Sequence, residues 1–331
     1  VGFAPRLRLA LDAGGLHLPE AGRVAVFAPR AGDDLSALPE GLVHVVTGFR
    51  PDFDHFAGLG YDCAVVPEGR YAAAVVRLPR ARARAQALVA QAVQVTDGPV
   101  VVDGAKEDGV EALLRACRAR VAVHGPVSKA HGKLFWFQAA PVFDDWQAPA
   151  PREIAGGFVT APGVFSADGI DPGSALLAEA LPAKLGARVA DLGGGWGYLS
   201  ARVLERAEVA RLHLVEADHT ALDCARVNLP DPRVRLHWED ARHWRPDEAV
   251  DTVVTNPPFH AGRRGADPDL GRAFIAAAAA MLAPHGALWL VANRHLPYEA
   301  ALSQHFAQAA EVGGNARFKI LQGRRPSRHR R

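Results

Sequence analysis

The sequence predicts an α/β protein of two tandem Rossmann-like domains, with a doubly wound sheet in the C-terminal copy and a degenerate N-terminal copy. Three observations predict it. Strand-like runs alternate with helical segments through the second half, as they do in a doubly wound sheet. A β-run meets a glycine turn and then a helix between Arg188 and Ser200. Segments of the first half also lie over segments of the second. Arg23-Val-Ala-Val-Phe-Ala matches Arg188-Val-Ala-Asp-Leu-Gly, and Tyr61-Asp-Cys-Ala-Val-Val-Pro matches Val250-Asp-Thr-Val-Val-Thr-Asn. Gly98-Pro-Val-Val-Val matches Gly286-Ala-Leu-Trp-Leu, and Lys133-Leu-Phe-Trp-Phe matches Arg317-Phe-Lys-Ile-Leu.

The 331 residues leave room for both copies, and a 49% hydrophobic content supplies cores for them. The link falls near residues 140–157, where Pro141, Asp144-Asp145, Pro149-Ala-Pro151 and Gly156-Gly157 make a polar, proline-rich connection. The predicted domains are 1–145 and 146–331. Spacing between matched segments grows from the first pair to the second. This predicts that the first half lacks about one strand, in the region that carries Asp240 in the second half. The first half also has Val26 where the second has Asp191, Ala28-Pro29-Arg30 for Gly193 to Gly195, and Pro67-Glu68-Gly69 for Asn256-Pro257-Pro258-Phe259. It keeps apolar strands and loses ligand groups, which predicts a copy that retains the fold without a cofactor site.

In the second half, the strand Val189 to Leu192 runs into Asp191-x-Gly193-x-Gly195-x-Gly197, and a helix is predicted over Tyr198–Ala207. This is not the G-x-G-x-x-G spacing of a dinucleotide site. Asp191, just before the glycines, repels a diphosphate and welcomes an ammonium group. Leu212 to Val215 is the next strand, and Glu216 at its end is placed to hold a ribose diol. A helix over His219–Leu229 follows, then the strand Val234 to Trp238. Asp240 after it is placed to accept from an adenine amine. Val250 to Val254 is a strand stopped by Pro257 and Pro258, which cannot donate to a ladder. A helix over Pro268–Leu282 is closed by Pro284 and Gly286, and a terminal strand over Ala316–Gln322 follows the Gly313-Gly314-Asn315 turn.

The turn Asn256-Pro257-Pro258-Phe259 offers an amide side chain, free carbonyls and an aromatic ring. Those groups suit a planar base with an exocyclic amine. Asp191, Gly193, Gly195, Gly197, Glu216, Asp240 and Asn256 together match S-adenosylmethionine beside such a base. The three cysteines, Cys63, Cys117 and Cys224, lie far apart without metal spacing, so they read as reduced thiols and no metal is expected. No apolar run approaches membrane length and no signal peptide is visible, which places the chain in the cytoplasm, away from membranes.

Over nearly its whole length the chain resembles the RsmC-type ribosomal RNA guanine-N2 methyltransferases and the similar RlmG type. The residues that carry the resemblance are Gly163-Val-Phe-Ser166, Asp168-Gly169, Gly173-Ser174, Asp191 to Gly197, Asn256 to His260, Val291-Ala-Asn-Arg-His-Leu-Pro-Tyr298 and Arg317-Phe318-Lys319. The resemblance implies a catalytic class I methyltransferase domain with a seven-stranded sheet, after a methyltransferase-like domain with an RNA-binding or structural role. It implies a monomer acting on ribosomal RNA or the small ribosomal subunit, with 16S RNA as substrate. Gly194 and bulky Trp196 depart from the small residues common in the family's turn.

Asn256 and the Pro257 carbonyl would accept the two N–H bonds of the guanine amine while Phe259 stacks the base. His260 reads as a structural loop residue. A net charge of +2 means that RNA must meet local basic clusters. Arg263 and Arg264 follow the base pocket and are the first choice. Arg77, Arg80, Arg82 and Arg84 form a second cluster, and Arg324, Arg325, Arg328, Arg330 and Arg331 a third. Other acceptors remain open at this point: a guanine of 23S RNA, adenine N6 or glutamine N5. So do a non-catalytic RNA-binding assembly factor and a nicotinamide oxidoreductase, the last disfavoured by the glycine spacing.

Overall fold

The computed structural model of the chain describes residues 2–12, 15–258 and 268–327. It divides into two compact units, one ending at Ala150 and the other beginning at Pro151. The division falls a few residues past the boundary at 145/146. Trp146 is buried in the first unit's core with its ring 4.9 Å from that of Phe143. Asp145 pairs with Arg120 at 2.5 Å. This turn therefore belongs to the first unit.

The first unit opens with helix α1 (Phe3–Asp12), strands β1 (Val24–Phe27) and β2 (Val43–Val46), helix α2 (Arg50–Gly58) and strand β3 (Asp62–Ala64). It continues through β4 (Ala73–Arg77), α3 (Arg82–Val95), β5 (Pro99–Ala105) and α4 (Val110–Arg118) to the hairpin β6 (His124–Lys129) and β7 (Gly132–Gln138). The second unit begins with a small ladder, β8 (Arg152–Ile154) and β9 (Phe158–Thr160), and helix α5 (Pro172–Ala180). Then come β10 (Arg188–Leu192), α6 (Tyr198–Leu204), β11 (Arg211–Glu216), α7 (His219–Asn228), β12 (Val234–Trp238) and β13 (Val250–Thr255). Helix α8 (Pro268–Met281), β14 (Leu282–Asn293), α9 (Glu299–His305), β15 (Phe306–Gly314) and β16 (Phe318–Pro326) complete it.

Both sheets have seven strands in one order: β3-β2-β1-β4-β5-β7-β6 and β12-β11-β10-β13-β14-β16-β15. The ladder is parallel from β12 to β14 and antiparallel at β14–β16 and β16–β15. Helices cover both faces, so the central strands are apolar on both sides. Val189 packs into one core, while Ala190 and Leu192 face the other. Helix α8 gives way to β14 directly after Met281. Pro284 and Gly286 lie inside a register shift between Val250 and Thr252 of the neighbouring strand, so they mark an irregularity in β14 and not the end of the helix. The last hairpin turns at Asn315, whose side-chain oxygen accepts from the backbone N–H groups of Arg317 and Phe318.

The expected loss of a strand from the first half is overturned by this topology. Asp62–Ala64 is the edge strand β3, the counterpart of β12 and not of β13. Very short edge strands resist detection because three residues carry little periodicity. The true counterpart of β13 is β4. Phe27 pairs with Val76 as Leu192 pairs with Thr255. Arg77 therefore stands where the second unit has Asn256, and Leu78-Pro79 follows in place of Pro257-Pro258. Pro67-Glu68-Gly69 follows the edge strand instead. The turn after β1 persists, with Ala28 at φ 50° in the place of Gly193 at φ 69°.

Arg77 also leaves the proposed RNA-facing cluster, because it is only 2% exposed. Its guanidinium is bidentate to Asp33 at 2.7 and 2.9 Å and also binds Asp103. Arg6 grips Asp103 from the other side at 2.5 and 2.8 Å. Arg30, in the position of Gly195, donates to the Leu78 carbonyl at 2.7 Å and to Asp108 at 3.2 Å. In the first unit a network of buried and half-buried charges thus occupies the strand-end positions that carry the glycine turn and Asn256 in the second.

Removing one partner of such a network leaves carboxylates buried without their cation. Arg77→Ala should lower the unfolding free energy of the first unit by about 3–5 kcal/mol. Hydrogen exchange in β1, β4 and β5 would read this as lost protection. Wild-type protection in the variant would contradict the role given to Arg77.

Candidate active site

The site residues lie at the C-terminal edge of the second sheet, where β11 and β13 leave β10 on opposite sides. That reversal opens a crevice. Gly193, Gly195 and Gly197 all hold positive φ, at 69°, 56° and 96°. The turn they form lies against the end of β13: a Cβ on Gly193 would stand 3.9 Å from Pro258 Cδ. The Thr255 hydroxyl donates to the Leu192 carbonyl at 2.7 Å, which ties the two strand ends together. Glycine turn and Asn256-Pro257-Pro258 are therefore one site.

Asp191 is fully buried. Its Oδ2 accepts from the Ser200 hydroxyl at 2.8 Å, and its Oδ1 has no partner among the described residues. Burial pushes its carboxyl up to about 7, with the nearby Glu216 adding to the shift and the Ser200 hydrogen bond opposing it. Glu216 spans two turns: Oε2 accepts from the Gly195 N–H at 2.9 Å and Oε1 from the Asp218 N–H at 2.8 Å. Burial raises its carboxyl above the usual range, against these backbone donors.

Asp240 follows β12 and is engaged by Arg242, whose Nε and Nη2 reach its two oxygens at 2.9 and 2.5 Å. Burial works against its charge, but Arg242 outweighs burial and holds the carboxyl below its ordinary value. Sequence reasoning did not foresee this partner.

Asn256 is half-buried at the end of β13. Its Nδ2 donates to Asp171 Oδ2 at 3.0 Å and to Ser174 Oγ at 2.9 Å. Asp171 also caps helix α5, accepting from the Ser174 N–H at 2.7 Å. Asp171-Pro172, an N-cap residue followed by proline at the first helical position, was the local signal for this helix. Trp196 has a structural use: its indole N–H donates to the Phe165 carbonyl at 3.0 Å, and its ring packs on Phe158 at 5.2 Å. Asn228 fastens the same segment through Val159 and the Trp196 carbonyl. Phe259, His260, Arg263 and Arg264 lie outside the described residues. Among the described residues no cluster of three His, Cys, Asp or Glu could hold a metal, and no helix is long and apolar enough to cross a membrane.

The raised Asp191 carboxyl gives the ligand-free protein a pH signature. A group whose folded value lies near 7, above an unfolded value of about 3.9, stabilises fully below the unfolded value. That contribution is lost as pH rises through 7. Asp191→Asn, which is never charged, should therefore gain stability relative to wild type as pH rises from about 5.5 to about 8. Thermal melts that show the same difference at both pH values would contradict the raised carboxyl.

The methyltransferase small domain family matches residues 155–322, about half of the chain. Ribosomal RNA small subunit methyltransferase C of Pseudomonas aeruginosa is 32% identical over 270 residues, 78% of this chain and 81% of that protein. Ribosomal RNA large subunit methyltransferase G of Pseudomonas syringae pv. tomato is 38% identical over 168 residues, 49% of this chain and 44% of that protein. A 16S rRNA N2 methyltransferase of T. thermophilus, solved with AdoMet and guanosine, aligns with a TM-score of 0.77 at 25% identity, over 97% of this chain and 92% of that one. With a strand order, a glycine turn and an Asn-Pro-Pro edge already in place, the chain belongs to the methyltransferase small domain family, in the group of ribosomal RNA small subunit methyltransferase C.

Proposed function

We propose that the chain transfers a methyl group from S-adenosylmethionine to the exocyclic N2 amine of a guanosine in 16S ribosomal RNA. The observation that carries this reading is the meeting of Asn256-Pro257-Pro258 with the glycine turn at one strand edge. The small-subunit relative aligns with 78% of the chain and the large-subunit one with 49%, which favours 16S over 23S RNA.

The residues present fit the cofactor. Asp191 Oδ1, buried and without a partner among the described residues, would take the ammonium of its methionine end. Glu216 keeps lone pairs for the ribose hydroxyls beyond the two backbone donors it already serves. Asp240, steadied by Arg242, would accept from the adenine amine. When bound, S-adenosylmethionine supplies an electrophilic methyl on a sulfonium, whose sulfur leaves as a neutral thioether while the displaced N2 proton passes to water.

Guanine N2 is a poor nucleophile because its lone pair is delocalised into the ring. Asn256 Oδ1 and the Pro257 carbonyl would accept its two N–H bonds and favour a tetrahedral nitrogen. Positioning and fixed dipoles supply the acceleration. From their places in the sequence, Phe259 stacks the base and Arg263 and Arg264 meet RNA phosphates. The first unit serves RNA binding or structure and holds no cofactor, its strand-end positions being occupied by Arg77, Arg30 and their carboxylates. We place the protein in the cytoplasm as a monomer.

Two variants separate the halves of the site. Asn256→Ala should lower methyl transfer to 16S RNA by a factor of about 100 or more, the loss of a transition-state contact, with cofactor affinity held within a few-fold. Glu216→Ala should weaken binding of S-adenosylhomocysteine by about 1–3 kcal/mol. Calorimetry and single-turnover assays read the two effects. Equal loss of cofactor binding in both variants would reject the division of labour, and methylation of 23S RNA in preference to 16S RNA would redirect the substrate.

A further inference from the structure

We propose that Asp171, with Ser174, is a positioning residue that sets the hydrogen-bonding polarity of Asn256 and so selects a base that bears an amine. The inference rests on the functional reading above and deepens it. An asparagine amide presents an acceptor at one end and two donors at the other. Flipping it exchanges the ends at little steric cost, so something must choose. A carboxylate can only accept. Asp171 Oδ2, 3.0 Å from Asn256, therefore requires the NH2 end to face it. Ser174 Oγ, 2.9 Å away, takes the second proton of that NH2. Both donors are then used inside the protein, and Oδ1 accepts no hydrogen bond from a described residue.

The consequence is chemical. Guanine N2 carries two N–H donors, and an amide turned the other way would set donor against donor. With Asp171 in place, the edge offered to the base is acceptor only. The carboxylate also polarises the amide through its N–H, which strengthens Oδ1 as an acceptor as positive charge develops on the attacked nitrogen. Asp171 is itself held rigidly. It caps α5 through the Ser174 N–H at 2.7 Å, and a Cβ on neighbouring Gly173 would come within 3.0 Å of its Oδ2. The start of one helix and the end of a strand more than eighty residues away are thus joined at one oxygen.

The test uses the full chain and compares guanosine with inosine, the same nucleoside without the 2-amino group. Serine caps a helix as well as aspartate does but is too short to reach Asn256. Asp171→Ser should keep the melting temperature and the affinity for S-adenosylhomocysteine. It should lower kcat by about tenfold or more and move the guanosine-over-inosine binding preference toward one. Asp171→Asn, which restores a side-chain oxygen at that place, should recover most of both. Should Asp171→Ser loosen α5, Ser174→Ala removes the second acceptor with the cap intact and should shift the same preference. Wild-type kcat and preference in both Asp171→Ser and Ser174→Ala would overturn the proposal. A wild-type protein that binds guanosine and inosine equally would instead take down the functional reading, and this proposal with it.

Discussion

The reversal of strand order at β10 is the constraint on which the site depends. Strands β11 and β13 flank β10, and their connections leave on opposite faces of the sheet. A crevice must open at that edge, lined by strand-end backbone groups that need partners. Every described residue assigned to the cofactor or the base lies on that edge. Asp191 and the glycine turn end β10, Glu216 ends β11, Asp240 follows β12 and Asn256 follows β13.

The two units answer the same constraint differently. In the second, the strand ends carry polar groups that do not pair off with one another, at an electrostatic cost in the form of a buried carboxyl with an oxygen lacking a described partner. In the first, they do pair. Arg77 takes the place of Asn256, Arg30 that of Gly195, and Asp33, Asp103 and Asp108 neutralise them. A buried network of this kind contributes less to stability than its Coulomb attraction suggests, because each ion has left water. It does fix one arrangement of the strand ends, and it replaces ligand-binding groups with groups that bind one another. The second unit does the reverse, keeping a desolvated carboxyl where a ligand would relieve it.

Much of this was legible in the sequence. The Gly-rich turn, the double-proline stop and the repeat predicted the tandem architecture, because each is a backbone constraint written in residue type. The strand runs were right to within a few residues where apolar runs were long. The failures share a cause. β3 is three residues long, so sequence periodicity alone carries the repeat through the wrong strand and leaves Arg77 looking like a surface charge. Arg77, Asp33 and Asp103 are far apart in the chain, and nothing local marks an arginine as buried. Asp171 and Ser174 carried a visible helix-start pattern, yet their bond to Asn256 spans the whole connection from α5 to β13. Long-range polar partners of this kind are set by topology, and local periodicity does not encode them.

The central claim is that Asn256-Pro257, at the end of β13, presents an acceptor edge to the amine of guanine. The most direct measurement is mass spectrometry of nucleosides from 16S ribosomal RNA after reaction with the purified chain and methyl-labelled S-adenosylmethionine. The account predicts label in N2-methylguanosine and in no other nucleoside. Label in N6-methyladenosine, or in a protein glutamine added to the same reaction, would contradict it.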